Sequence, residues 1–225
     1  MRIISPGYEI LTPISEGGIE ELQMIEKVGR TCYKSEDRIT TDGESAKKFV
    51  RMLIEHHHEA MIEHGPSITV KFTVDRGISH EIVRHRVASY AQESTRYCNY
   101  TKEKFGSSIN IIDIQGGIAI DPKTSNLSDD SIGRICNEWL TACAEAEKHY
   151  MKMVELGASP QIARSVLPHS TKTELVVKYN LREWRHFLRL RTAKDAHPQI
   201  REVTIPLLKE LQKRIPVIFD DIEVK

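Results

Sequence analysis

Apolar residues fall at helical spacing over residues 18–29, where Ile19, Leu22, Ile25 and Val28 stand between charged positions, and again over 45–57 with Phe49, Met52 and Leu53. Both stretches predict helices. Residues 67–74 change period: Ile68, Val70, Phe72 and Val74 alternate with polar or small neighbours, the pattern of a half-buried strand. A helix carrying Arg84, His85 and Arg86 is expected to follow. Residues 115–130 hold Gly116, Gly117, Pro122 and several Ser, Asn and Asp, which predicts a surface loop. The longest helical pattern covers 131–156, with Ile132, Ile135, Trp139, Cys143, Ala146 and Met153 on or near one face and Gly157 as its stop. Residues 173–179 are rich in β-formers, and Asn180 then stands where an N-cap starts a helix over 181–191.

That last helix separates its faces. At about 100° per residue, Arg182, Arg185, His186 and Arg189 gather on one side, and Leu181, Trp184, Phe187 and Leu188 on the other. Arg191 falls among the apolar residues, where an arginine is costly unless something accepts its hydrogen bonds. It either satisfies the last carbonyls and the dipole of its helix, or it meets a buried anionic or carbonyl-bearing ligand.

Composition narrows the classes. The 225 residues suit one large domain or two small ones, long enough for a real core, and one domain is the expectation. Lysine plus arginine and aspartate plus glutamate both number 32, so a whole-protein grip on nucleic acid is not indicated and any anion site is local. Residues 84–96 concentrate Arg84, His85, Arg86, Ser94, Thr95 and Arg96. On a helix the three residues of the triplet would address three different partners, and in an extended segment Ser94 and Arg96 would share a side, a geometry suited to phosphate. A charged surface helix followed by a polar loop would have the same composition. No signal-like N-terminal stretch or membrane-length apolar run is present, which points to a cytoplasmic protein. Cys32, Cys98, Cys136 and Cys143 make no Cys-x-x-Cys pair and read as reduced thiols.

The run from His56 to His64 is dense in imidazole and carboxylate and invites a metal reading, as in a metal-dependent phosphohydrolase. It is not His-Glu-x-x-His, because Ile62 stands three residues after Glu59, and neither helical face supplies three good ligands. A helix ending near His57, with imidazoles complementing its dipole before a turn at Gly65-Pro66, explains the run without metal.

Arg84-His85-Arg86, seven residues, then Ser94 resembles the signature of the flavin-dependent thymidylate synthases. Other segments keep that family's order: His58 to His64 resembles its His-Glu block, Ala163-Arg164-Ser165-Val166-Leu167-Pro168 its Ala-Arg-x-x-Leu-Pro segment, Asn180-Leu181-Arg182 its Asn-x-Arg corner, and Leu188 to Arg191 its Leu-x-Leu-Arg helix end. The resemblance implies an α+β (mixed α/β) fold: a single domain over 1–225 with a central sheet flanked by helices, assembled as a homotetramer with shared active sites. It implies reductive methylation of dUMP to dTMP in nucleotide biosynthesis, with 5,10-methylenetetrahydrofolate as carbon donor, FAD as hydride carrier, NADPH as reductant, no cysteine nucleophile and no metal. By similarity, Arg191 and Ser94 are catalytic. The dUMP site comprises Glu81, Ile82, Val83, Arg84, Gln92, Glu93, Ser94, Thr95, Arg96, Arg164 and Arg191. The FAD site comprises His58, Ala60, Arg84, His85, Arg86, Gln92, Asn180, Leu181, Arg182 and His186. Gln92 stands where many members carry Glu, and His186 where an Asn is common.

Overall fold

A computed structural model of the protein describes residues 1–103 and 106–224. From the N-terminus the chain forms β1 (Arg2–Ile4), β2 (Gly7–Ile10), α1 (Ile19–Tyr33) and α2 (Glu44–Glu55), then β3 (Ile68–Asp75), α3 (Arg76–Ile82) and β4 (Ser89–Gln92). Next come β5 (Asn110–Ile112), α4 (Gln115–Ile120), α5 (Asp129–Glu155) and α6 (Pro160–Ala163). The chain ends with β6 (Lys172–Tyr179), α7 (Leu181–Arg191), α8 (Pro198–Arg214) and α9 (Pro216–Phe219). The fold is the expected mixture of helices around a sheet. Four strands hydrogen-bond in the order β2-β3-β6-β4, and β1 pairs in parallel with β5, Arg2 opposite Asn110 and Ile4 opposite Ile112. No helix among the described residues is long and apolar enough to cross a membrane.

The chain divides into two compact units, one comprising Met1–Tyr8, Phe72–Arg84 and Tyr90–Val176, the other Glu9–Lys71, His85–Ser89 and Val177–Lys225. In the second unit the apolar faces read from the sequence are the core: Leu22 and Ile25 of α1, Phe49 and Leu53 of α2, and Leu181, Trp184, Phe187 and Leu188 of α7 are all buried. Gly29 lets α1 approach α2, since a Cβ there would lie 2.5 Å from the Phe49 ring. Trp184 donates its indole N–H to the Ile68 carbonyl at 3.0 Å, so the ring is buried with its polar atom satisfied.

In the first unit the core joins Tyr100, Ile109, Ile111, Cys143, Tyr150 and Ala163. Helix α5 begins at Ser128, whose hydroxyl caps the Ser131 N–H, and of its residues only Cys143 and Tyr150 are fully covered. Ile135, expected on the packing face, is 38% exposed. The loop expected over 115–130 contains α4, with Gly116 and Gly117 inside the helix. The four cysteines are free thiols.

Candidate active site

The helix expected to carry Arg84, His85 and Arg86 stops earlier. Asp75 caps α3 by accepting the Ile78 N–H at 2.7 Å, and the helix ends at Ile82, so the triplet lies in a turn and the segment leading to β4. Its three side chains therefore part by backbone turning and not by helical rotation: His85 is buried and Arg84 and Arg86 are exposed.

His85 is built into the second unit. Its ring sits against Phe187 (centroids 4.9 Å apart) and His186 (5.6 Å), beside Tyr179. The Arg191 Nε–H donates to its Nε2 at 3.0 Å, and a Glu183 carboxylate oxygen lies 3.4 Å from its Nδ1. An acceptor Nε2 places the ring proton on Nδ1, facing Glu183. Burial, reinforced by the charges of Arg191 and His186, brings the His85 pKa down to about 4, so the ring is neutral at neutral pH. Arg191, singled out as an arginine among apolar residues, thus has a protein partner 106 positions away in sequence.

His85, Glu183 and His186 offer ligand atoms within 4.8 Å of one another, a set the sequence reading missed because Glu183 drew no notice. Both nitrogens of the His85 ring are committed, one as acceptor from Arg191 and the other as proton carrier, so a cation here would have to displace one of them. The His56 to His64 run does not form a continuous helical face that could present ligands to a metal. Helix α2 ends at Glu55, the His56 ring meets the Met52 carbonyl at 2.9 Å, His57 takes a left-handed φ of 58°, and a separate 3-10 turn spans Glu59–His64.

The corner between β6 and α7 is as expected: the Asn180 side chain accepts the Glu183 N–H at 2.8 Å. Beyond it opens a cleft of about 380 Å³ whose lining includes Asn180, Arg182, Glu183, His186, Arg189 and Glu59. Arg182 pairs with Glu63. His58 precedes the 3-10 turn, with the Tyr33 hydroxyl 3.2 Å from its Nδ1, and Ala60 is exposed. Leu181 is a core residue whose side chain lies against Gly65, so only its backbone can meet a ligand. Arg185, placed by periodicity with the exposed residues, is fully buried.

The first unit carries a second array. Ser94 and Arg96 do not lie in an extended segment but in a tight turn, where the N–H groups of Tyr97 and Cys98 donate to the Ser94 carbonyl at 3.1 and 3.0 Å. The Ser94 hydroxyl accepts the Arg96 N–H at 3.3 Å. Arg164 donates to the buried Thr95 hydroxyl at 3.2 Å, and Arg96 donates to Gln161 at 3.2 Å while its guanidinium covers the Tyr97 ring. Two exposed guanidiniums and a hydroxyl are held in place by protein contacts, the equipment of an anion site.

Of the other residues expected here, Glu81 and Ile82 close α3, and Val83 follows. Ile82 is buried, its carbonyl taken by the Tyr90 hydroxyl at 3.0 Å. Gln92 donates its amide to Ser79 at 2.8 Å and to Thr173 at 3.2 Å. The Glu93 carboxylate is 3.0 Å from the Lys172 ammonium and accepts from the Tyr100 hydroxyl at 3.5 Å. Burial pulls Lys172 down, but hydrogen bonds to Glu174 and Glu93 more than offset it and its pKa is raised.

These arrays meet known proteins at family level. The Thy1 family model, described as thymidylate synthase complementing protein, matches residues 19–217. The chain belongs to the Thy1 family. Among its relatives, the flavin-dependent thymidylate synthase of Corynebacterium aurimucosum is 29% identical over 215 residues, covering 94% of this chain and 84% of that protein. The enzyme of the same name from Corynebacterium glutamicum is 31% identical over 215 residues, covering 90% and 80%. In structure, the UMP/dUMP methylase PolB of Streptomyces cacaoi, bound with 5-Br dUMP, superposes with a TM-score of 0.77 at 25% identity, covering 98% of this chain and 96% of that one. The Thy1 match spans both arrays, from α1 to α9.

Proposed function

We propose that this Thy1 protein is a flavin-dependent thymidylate synthase that methylates dUMP to dTMP, taking the carbon from 5,10-methylenetetrahydrofolate and reducing equivalents from NADPH through FAD. The observation that carries the reading is the neutral, buried His85 holding Arg191 by its Nε–H, at the helix end where family resemblance assigns the pyrimidine.

The donor set of the α7 cleft suits a flavin dinucleotide. Its volume of about 380 Å³ lies in the range of small-molecule sites, roughly 300–1,000 Å³. Arg182, exposed and paired with Glu63, is the lining guanidinium that exchanges onto a diphosphate, while Arg189 stays with Glu59 and Asp221; Asn180 and His186 supply further polar groups. In this reading His58, Ala60, Arg84, His85, Arg86, Gln92, Asn180, Leu181, Arg182 and His186 hold the cofactor, Leu181 through its backbone. Bound FAD supplies the hydride chemistry, and the chain binds and orients. Arg191 polarises the uracil ring and favours its N3-deprotonated form, because a cation beside the ring lowers the cost of that anion. Ser94, Arg96 and Arg164 take the phosphate, with Thr95 steadying Arg164.

The mechanism needs no cysteine nucleophile. Of the four cysteines Cys143 is buried, and burial pushes its thiol up. The assembly in this reading is a homotetramer with shared sites, which gives the exposed Arg84 and Arg86 partners beyond their own chain.

The absorption spectrum of purified protein tests the reading. It should show the visible bands of a flavin that NADPH bleaches in a dUMP-responsive way, and supplied methylenetetrahydrofolate should then give dTMP. A colourless protein indifferent to added FAD and dUMP would refute it.

A further inference from the structure

Arg185 occupies a position on α7 whose other inward residues are Leu, Trp and Phe, and it is the fully buried cation of that helix. Its guanidinium donates to the Ile218 carbonyl, to both oxygens of Asp221 at 2.6 and 2.8 Å, and to Glu59 Oε1 at 3.2 Å. Arg189, one turn on, repeats two of these contacts, with Asp221 at 2.8 Å and Glu59 at 3.3 Å. Two guanidiniums and two carboxylates form a charge-balanced ring tying α7, the 3-10 turn at Glu59–His64 and the segment after α9. Burial alone would push both carboxyls up, but the two arginines hold Glu59 and Asp221 below the usual carboxylate range, so the ring is fully ionised at neutral pH.

Stability alone does not call for this arrangement, because well-packed apolar residues replace buried ion pairs without loss in many folds. The ring instead supplies direction. Glu59 lies between His58 and Ala60 and lines the cleft with Arg182, His186 and Arg189. We infer that Arg185 and Asp221 are positioning residues for this cleft, fixing Glu59 and the adjoining His58 and Ala60 against α7, so that the C-terminal segment sets the affinity for the cofactor. The inference rests on the cleft being the flavin site.

FAD titration of the full-length apoprotein, followed by flavin fluorescence and paired with its thermal midpoint, tests it. Asp221→Asn and Glu59→Gln should weaken FAD on the order of tenfold to a hundredfold, the scale of a misplaced binding group. The double variant Arg185→Met/Asp221→Asn removes the uncompensated buried charge, so its thermal midpoint should recover towards that of the parent while its FAD affinity stays low. A merely structural role predicts the reverse: affinity recovering together with stability, or single variants binding FAD like the parent, would overturn the inference. Arg182→Ala separates the two levels. If it weakens FAD and Asp221→Asn does not, only the positioning role falls; if neither the parent nor any variant binds FAD, the flavin reading of the cleft falls and this inference with it.

Discussion

Arg191 donates its Nε–H to Nε2 of His85 at 3.0 Å, an interaction that a protonated imidazole cannot make. The pair therefore ties the charge state of His85 to the packing of the α7 end. The His85 pKa falls from 6.5 to about 4, so the folded protein binds fewer protons than the unfolded chain between those values. Stability then rises with pH across this window: it is fully present above pH 6.5 and lost as pH falls towards 4. Urea unfolding at a series of pH values should show this slope, on the order of 3 kcal/mol in total, and His85→Gln should flatten it. An unchanged slope in the variant would detach the pH dependence from His85.

Arg191→Ala should remove turnover and leave the flavin bound. The guanidinium is assigned to the pyrimidine, and loss of one donor to a developing anion lowers kcat by about a hundredfold or more. The visible spectrum of the purified variant and its rate of dTMP formation check both halves. Full activity would take Arg191 out of the reaction.

Arg164→Ala should act on a different parameter. Arg164 reaches the Ser94–Arg96 turn through Thr95, and a charged hydrogen bond to phosphate contributes roughly 1.5–3 kcal/mol. KM for dUMP should rise by about tenfold to a hundredfold, with FAD affinity unchanged. A fall in FAD affinity with KM unaltered would move Arg164 out of the phosphate site.

How much of this was legible in the sequence depended on sequence distance. The β6–Asn180–α7 corner was readable because a β-rich run, an N-cap and a helical face are local signals that the structure satisfies locally. The burial of Arg185 was not, because its partners Asp221 and Glu59 lie 36 and 126 positions away and the helical wheel shows only an arginine beside other arginines. The end of α3 had no Gly or Pro to mark it, so the triplet read as a continuation of the helix. Gly116 and Gly117 had the opposite effect, reading as breakers although both lie within α4. Ser94 and Arg96 stand out by side-chain type, which carries the phosphate expectation, whereas Arg164 enters only through the family resemblance; the spacing of Ser94 and Arg96 suggests an extended segment where the chain makes a turn.

Gln92→Glu restores the residue many relatives are expected to carry, yet here it should destabilise the fold. The Gln92 amide donates to the Ser79 hydroxyl at 2.8 Å, and that hydroxyl donates its own proton to the Arg76 carbonyl at 2.9 Å. Ser79 therefore presents a lone pair to position 92 and cannot turn to serve a carboxylate without abandoning the Arg76 carbonyl in a buried site. Thr173, the second acceptor at 3.2 Å, can reorient its hydroxyl and recovers part of the loss. The Arg76 guanidinium, 3.5 Å from the Thr173 hydroxyl, offsets part of the cost, and the anion facing the committed Ser79 lone pair keeps the new carboxyl's pKa raised and costs about 1–3 kcal/mol when ionised. A raised pKa means that the penalty is smallest while the group is protonated and grows as pH rises through its titration. Chemical unfolding of parent and variant at mildly acidic and mildly alkaline pH should show the gap widening at the alkaline end. A gap that is absent at both would show that Ser79 and Thr173 adapt to either side chain, and that the choice of Gln at position 92 is not set by this pair.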